Sequence, residues 1–98
     1  MQEHVSTTQL GWLIGRSSGT VREMIRGGEI EASRIPGGFR IPRDEVLRVS
    51  RETIQEKAGR DLSDRELEKL IDGVLETNEE RTHEAIRLVK SKQARKRR

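Results

Sequence analysis

The chain has 98 residues, of which 31% are hydrophobic and 38% charged, with no cysteine and only two aromatic residues, Trp12 and Phe39. This composition can close only a modest core, and it excludes disulfides and thiolate metal sites. No apolar run approaches the roughly 20 residues of a membrane span, and the first residues lack the pattern of a secretory signal. We therefore expect a cytoplasmic protein that does not contact membranes.

The formal net charge of +3 is unevenly distributed along the chain. Residues 1–60 contain 10 basic and 8 acidic residues. Residues 61–84 contain 3 basic and 9 acidic residues, and residues 85–98 contain 7 basic residues and no acidic one. An acidic stretch followed by a basic tail indicates two kinds of partner surface. The tail is predicted to be either a DNA-binding arm, attracted to phosphate, or a solvated or partner-binding segment.

Two short helices open the chain. Ser6 and Gln9 form a capping-box pattern, apolar residues follow at helical spacing, and Gly15 is a stop signal. Ser17 is a second N-cap candidate, and the apolar stripe after it ends at the glycine pair 27–28. Two short helices joined by about three residues predict a helix-turn-helix.

A hairpin and a third helix are predicted next. Residues 30–34 and 39–41 roughly alternate between apolar and polar, and the sequence Pro-Gly-Gly at 36–38 between them is a turn signal. A helix is then expected from about Asp44 to Ala58, with Gly59 as its stop. Trp12 and Phe39 fall in apolar patterns and are expected to pack in the core.

The last third contains a strongly marked helix start. Ser63 with Glu66 forms a capping box, and Leu62 with Leu67 forms a hydrophobic staple. An apolar stripe follows that a lone helix cannot bury, so it must contact either a second copy or its own domain, unless the segment is partly disordered. The stripe consists of Leu67, Leu70, Ile71, Val74 and Leu75. A further apolar stripe at 85–89 belongs either to the same helix or to one that begins after a break near Thr77.

Four motifs occur in order between residues 5 and 50: LIGRSSGTVREMI, GGEI, PGGFR and IPRDEV. In this order and spacing the chain resembles the excisionase-type branch of the MerR-like winged helix-turn-helix domains, over about half its length. The resemblance implies a mainly α fold with a small β-hairpin wing. The expected organisation is a winged helix-turn-helix at residues 1–58, followed by a helical extension at residues 59–98.

The resemblance also implies which residues meet DNA. The second helix would lie in the major groove, and the wing would contact the minor groove or the phosphate backbone. The implied helix residues are Ser17, Ser18, Thr20, Arg22, Glu23 and Arg26. The implied wing residues are Arg34, Gly37, Gly38, Arg40 and Arg43. Each wing arginine has an alternative, which is to be a solvated surface residue paired with Glu29 or Glu31.

The expected function is sequence-specific binding of double-stranded DNA, as a recombination directionality factor or a small transcriptional regulator of bacterial, phage or mobile-element origin. A recombinase or another protein is then a further partner. The alternative is an assembly adaptor, similar to a phage small terminase or a DNA-partition protein, that recruits a larger machine through its C-terminal helix. With two isolated histidines, no cysteine and no phosphate-cradling loop, we expect no enzyme activity, metal or cofactor.

Overall fold

The computed structural model describes residues 2–78, in which four helices and a three-stranded antiparallel sheet follow one another along the chain. The elements are β1 (His4–Val5), α1 (Thr7–Ile14), α2 (Ser18–Arg26), β2 (Ser33–Ile35), β3 (Gly38–Pro42) and α3 (Arg43–Ala58). The fourth helix, α4, runs from residue 64 to the end of the described part at residue 78. The basic tail and the second apolar stripe lie outside the described residues.

The capping signals of the first two helices are confirmed. Ser6 Oγ accepts the backbone N–H of Gln9 at 3.1 Å, and Gln9 Oε1 accepts that of Ser6 at 2.9 Å. Gly15 ends α1 in the left-handed region, at φ 71°, where a side chain would be strained. Ser17 Oγ caps α2 by accepting the N–H of Thr20 at 3.1 Å. The predicted two-helix unit is therefore present, with a three-residue turn.

The sheet contains the predicted hairpin and one strand that was not predicted. Strands β2 and β3 pair directly, joined by Pro36 and Gly37. Gly37 has φ 86°, and proline followed by glycine with positive φ is typical of a type II turn. The additional strand, β1, pairs with the other edge of β3, so that Val5 lies opposite Ile41 and both are buried. This pairing fixes the N-terminus against the hairpin.

Helix α3 begins and ends close to its sequence signals, and α4 begins at its own. Helix α3 starts one residue earlier than predicted and ends at Gly59, which adopts φ 74°. Ser63 Oγ accepts the N–H of Glu66 at 3.2 Å, and Glu66 Oε1 accepts that of Ser63 at 3.2 Å, so this capping box is confirmed. Arg60 donates a hydrogen bond to the Glu66 carboxylate and thereby lowers its pKa to about 2.

A single apolar core connects the hairpin, the first three helices and α4. Leu10, Val21, Ile30, Ile41 and Val46 are all at most 2% exposed. The same cluster also includes four residues beyond position 58, which are Leu62, Leu67, Ile71 and Leu75. The domain boundary predicted at residue 58 therefore passes through the apolar core.

Part of the α4 stripe packs on the chain's own domain, which is one of the alternatives that the sequence left open. Leu67 and Ile71 are fully buried and Leu75 is 5% exposed, all within their own chain. They are therefore not available to a second copy. Leu70 is 43% exposed and Val74 is half-buried, so these two remain accessible.

Polar contacts also hold α4 against α3. Arg51 forms an ion pair with Asp64 and donates to the carbonyl oxygen of Leu62 at 2.6 Å. Arg43, at the start of α3, forms an ion pair with Glu68. No helix among residues 2–78 is long and apolar enough to cross a membrane.

Candidate nucleic-acid interface

A groove of about 410 Å³ lies between α2 and the β2–β3 hairpin. Its lining consists of Arg22, Arg26, Arg34, Ile35, Gly37, Gly38 and Phe39. All three charged residues in this lining are arginines, so the groove contains no carboxylate. We call it the arginine groove.

Helix periodicity accounts for the α2 side of this groove. Arg22 and Arg26 are four residues apart and so lie on the same face of α2. Val21, next to Arg22, is fully buried and fixes the opposite side of the helix in the core. Both arginines are consequently exposed and directed towards the hairpin.

Strand register accounts for the hairpin side. Arg34 lies directly opposite Phe39 in the antiparallel ladder, and opposed residues share one face of a sheet. Phe39 is half-buried and contributes to the groove wall rather than to the core cluster, so its predicted core position is wrong. Gly37 in the turn and Gly38 at the start of β3 carry no side chain, and a Cβ at either would meet no atom within 4 Å. The tip of the hairpin is therefore open to a large ligand.

Among residues 2–78 the three groove arginines have no internal partner. Within residues 2–78, neither Arg22, Arg26 nor Arg34 forms a salt bridge or a side-chain hydrogen bond. The alternative pairing with Glu29 or Glu31 is therefore not observed. Three uncompensated guanidinium groups around one groove create a positive potential suited to an anion.

The polar residues at the start of α2 are next to the groove residues in sequence. Ser17 and Thr20 bind one another through their hydroxyls at 3.0 Å, in addition to their capping bond. Ser18 is half-buried, whereas Thr20 and Glu23 are exposed. The free N–H groups of the first turn and the helix dipole favour a phosphate here.

Two of the implied wing arginines do not line the groove. Arg40 lies opposite Ser33, on the face of the hairpin away from Arg34, because successive residues of a strand alternate between faces. Arg43 forms the ion pair with Glu68 on α4. The sequence motif gives the order of Arg40 and Arg43 along the chain. It does not give the face of the fold on which each side chain lies.

One further exposed arginine, Arg16, was missed by the sequence reasoning. It lies in the turn between α1 and α2 and donates its backbone N–H to the carbonyl oxygen of Gly11 at 3.0 Å. A Cβ at Gly11 would come within 2.4 Å of the Arg16 carbonyl oxygen, so only glycine permits this close approach. A basic residue directly before the N-cap of α2 was the available signal.

Among the described residues, no group of three or more histidine, cysteine, aspartate or glutamate side chains is placed to hold a metal ion. Comparison of the chain with protein-family models, with curated proteins and with solved structures found no match.

Proposed function

We propose that this chain binds double-stranded DNA in a sequence-specific manner, and that the arginine groove is the centre of the contact surface. The observation that carries this proposal is the convergence of Arg22, Arg26 and Arg34 on one groove without a carboxylate. A duplex presents a regular row of phosphates, to which unpaired arginines bind strongly.

In this proposal the fold acts as a winged helix-turn-helix. Helix α2 enters the major groove, where Arg22 and Arg26 reach guanine O6 and N7, while Ser17, Ser18 and Thr20 contact phosphate. Glu23 accepts from a cytosine amino group. The β2–β3 hairpin is the wing, and Arg34 binds the phosphate backbone from it. The small residues at its tip allow a close approach to the duplex.

The salt dependence of binding tests this mode of contact. About five phosphate contacts from α2, the turn before it and the hairpin imply a slope of log K against log salt of about −4 to −5. Fluorescence anisotropy with a labelled duplex measures it, using a chain that ends at residue 78 so that the basic tail does not contribute. The full chain should give a steeper slope. A slope flatter than about −2 for the shorter chain contradicts docking through both α2 and the hairpin.

We also propose that a second copy of this chain covers the accessible strip of α4. Leu70, Gly73, Val74 and Thr77 have the spacing of residues that form a hole for a side chain of a facing helix. Because Gly73 has no side chain, the centre of this hole is open, and a Cβ added at Gly73 would meet no atom within 4 Å. The strip borders a cavity of about 300 Å³ between α4, α1 and α3. Leu70 of one copy would fill this space in the other.

The charges beside the strip favour an antiparallel pair. If Leu70 of one copy packs against Val74 of the other, Lys69 faces Glu76 of the partner subunit, twice by symmetry. Neither Lys69 nor Glu76 has a side-chain partner within residues 2–78. Opposite charges at such flanking positions set orientation and partner choice.

Reversing these charges one at a time tests the pairing. Lys69→Glu and Glu76→Lys should each weaken the dimer, because each places like charges together, whereas an equimolar mixture of the two variants should restore it. Sedimentation velocity of the full chain over a concentration series measures this, with Glu52→Lys on α3 as the control. A chain that stays monomeric, or a mixture that does not associate, contradicts the antiparallel pair and favours the adaptor alternative, in which another protein binds the strip.

A further inference from the structure

Glu45 is a buried carboxylate on α3, only 8% exposed. Its Oε2 accepts the backbone N–H of Glu31 at 2.6 Å. The guanidinium of Arg48 donates to both carboxylate oxygens, through Nε at 2.5 Å and Nη2 at 2.9 Å. The hydrogen bond from Arg48 is the main cause that lowers the pKa of Glu45, and it outweighs the opposite effect of burial.

Arg48 extends this contact to a second backbone group. Its Nη2 also donates to the carbonyl oxygen of Glu29 at 2.9 Å. Helix α3 therefore holds the chain on both sides of Ile30, whose side chain is 2% exposed in the core. We call this pair of side chains the Glu45–Arg48 brace.

The braced segment is the connection between the two sides of the arginine groove. Arg26 lies three residues before Glu29, and Arg34 lies three residues after Glu31. The remaining connection between α2 and the hairpin is indirect, through α1, which contacts both α2 and β3. A change in the path of residues 29–31 therefore alters the distance between the helix arginines and the hairpin arginine.

We propose that Glu45 and Arg48 are positioning residues for DNA binding, which fix the separation of α2 and the hairpin so that Arg22, Arg26 and Arg34 meet one duplex together. This inference rests on the proposed function. It assigns a role to two residues that do not line the groove. Binding groups must be held in place by supporting contacts if they are to act together.

The sign of the effect separates positioning from simple electrostatics. Glu45→Gln removes a negative charge, so long-range attraction alone would strengthen binding to DNA. If Glu45 acts as a positioning residue, the same substitution weakens binding to DNA, because the loss of the ionic bond to Arg48 releases residues 29–31. Arg48→Ala, at a side chain that is 60% exposed, should also weaken binding. The two substitutions change the net charge of the protein in opposite directions, but both are expected to lower its affinity for DNA.

The test is a double-mutant cycle on the full chain with a labelled duplex, read by fluorescence anisotropy and corrected for the folded fraction. We expect Glu45→Gln and Arg48→Ala each to weaken binding about tenfold in the wild-type background. In an Arg34→Ala background the same substitutions should cost less than about threefold, since the hairpin contact is already absent. An equal loss in both backgrounds, or stronger binding by Glu45→Gln, overturns the inference.

Amide hydrogen exchange of the free protein provides a measurement without DNA. Glu45→Gln should speed exchange at residue 31 and across the hairpin at residues 33–40, and leave the amides of α1 and α3 unchanged. Unchanged exchange in the hairpin overturns the brace. A wild-type chain that does not bind DNA overturns the proposed function as well, whereas binding by the wild type that neither variant weakens overturns only the positioning role.

Discussion

A chain cut after Ala58 is expected to lose its cooperative thermal unfolding transition. The cut removes the four core residues between positions 62 and 75 and exposes the apolar surface of Leu13 and Ile54 that faces α4. Folded domains of this size are stable by only about 5–15 kcal/mol. Burying one Leu or Ile side chain contributes about 1.5–3 kcal/mol, so losing four such contacts removes most or all of that stability.

A milder version of this test uses single substitutions within α4. Ile71→Ala should lower the free energy of unfolding by about 2–5 kcal/mol, because it empties a fully enclosed site. The matched control is Leu70→Ala at the preceding residue, whose side chain is 43% exposed, with an expected loss below about 1 kcal/mol in the monomer. Circular dichroism with urea measures both.

A different result would support the boundary predicted at residue 58. If the chain cut after Ala58 unfolds cooperatively with a transition close to that of the full chain, the first 58 residues form a self-sufficient domain. Equal effects of Ile71→Ala and Leu70→Ala would likewise contradict the placement of α4 in the core.

The local signals in the sequence were enough to place most of the secondary structure. A capping residue and a glycine with positive φ act over three or four residues, so Ser6, Gly15, Ser17, Gly59 and Ser63 define helix ends without knowledge of the rest of the fold. Strand β1 was missed for the opposite reason. It has two residues and exists because Val5 pairs with the distant Ile41.

The apolar pattern of α4 was read correctly as a pattern, but it left open whether the helix packs on its own domain or on a second copy. A periodic stripe shows that one face of a helix must be covered, and the same stripe serves an internal core or a second chain. Here Ile71 meets the chain's own core while Leu70, one residue earlier, remains accessible. The difference depends on the direction in which α4 packs across α3. That direction cannot be inferred from the sequence of α4 alone.

The candidate site was also predictable only in part. Arg22 and Arg26 follow from helix periodicity, and Arg34 from the motif, but the faces of Arg40 and Arg43 depend on strand register and on Glu68. Glu45 gave no signal in sequence, since an acidic residue in the first turn of a helix is ordinarily explained by the helix dipole. Its burial comes from contacts 14 residues away in sequence.

The second large effect concerns the groove itself. Arg22→Ala combined with Arg34→Ala removes one arginine from each side of the arginine groove. An arginine that binds a base contributes about 1–3 kcal/mol, and a hydrogen bond to a charged phosphate contributes about 1.5–3 kcal/mol. The pair should therefore weaken binding by at least about 30-fold. The fold should be unaffected, because both side chains are exposed and form no ion pair within residues 2–78.

A control with the same loss of charge separates the groove from general attraction. Lys57→Ala combined with Arg65→Ala also removes two positive charges from exposed positions, on α3 and α4, outside the groove lining. Long-range attraction to the duplex falls by a similar amount in both double variants. Any difference between them therefore reports direct contact at the groove.

The affinity of these two double variants for one labelled duplex, measured side by side at about 0.15 M salt, tests the central claim most directly. Binding through the arginine groove predicts a loss of at least about 30-fold for the groove variant and less than about threefold for the control. Equal losses in the two variants, or no loss in either, would contradict the assignment of the arginine groove as the DNA-binding surface.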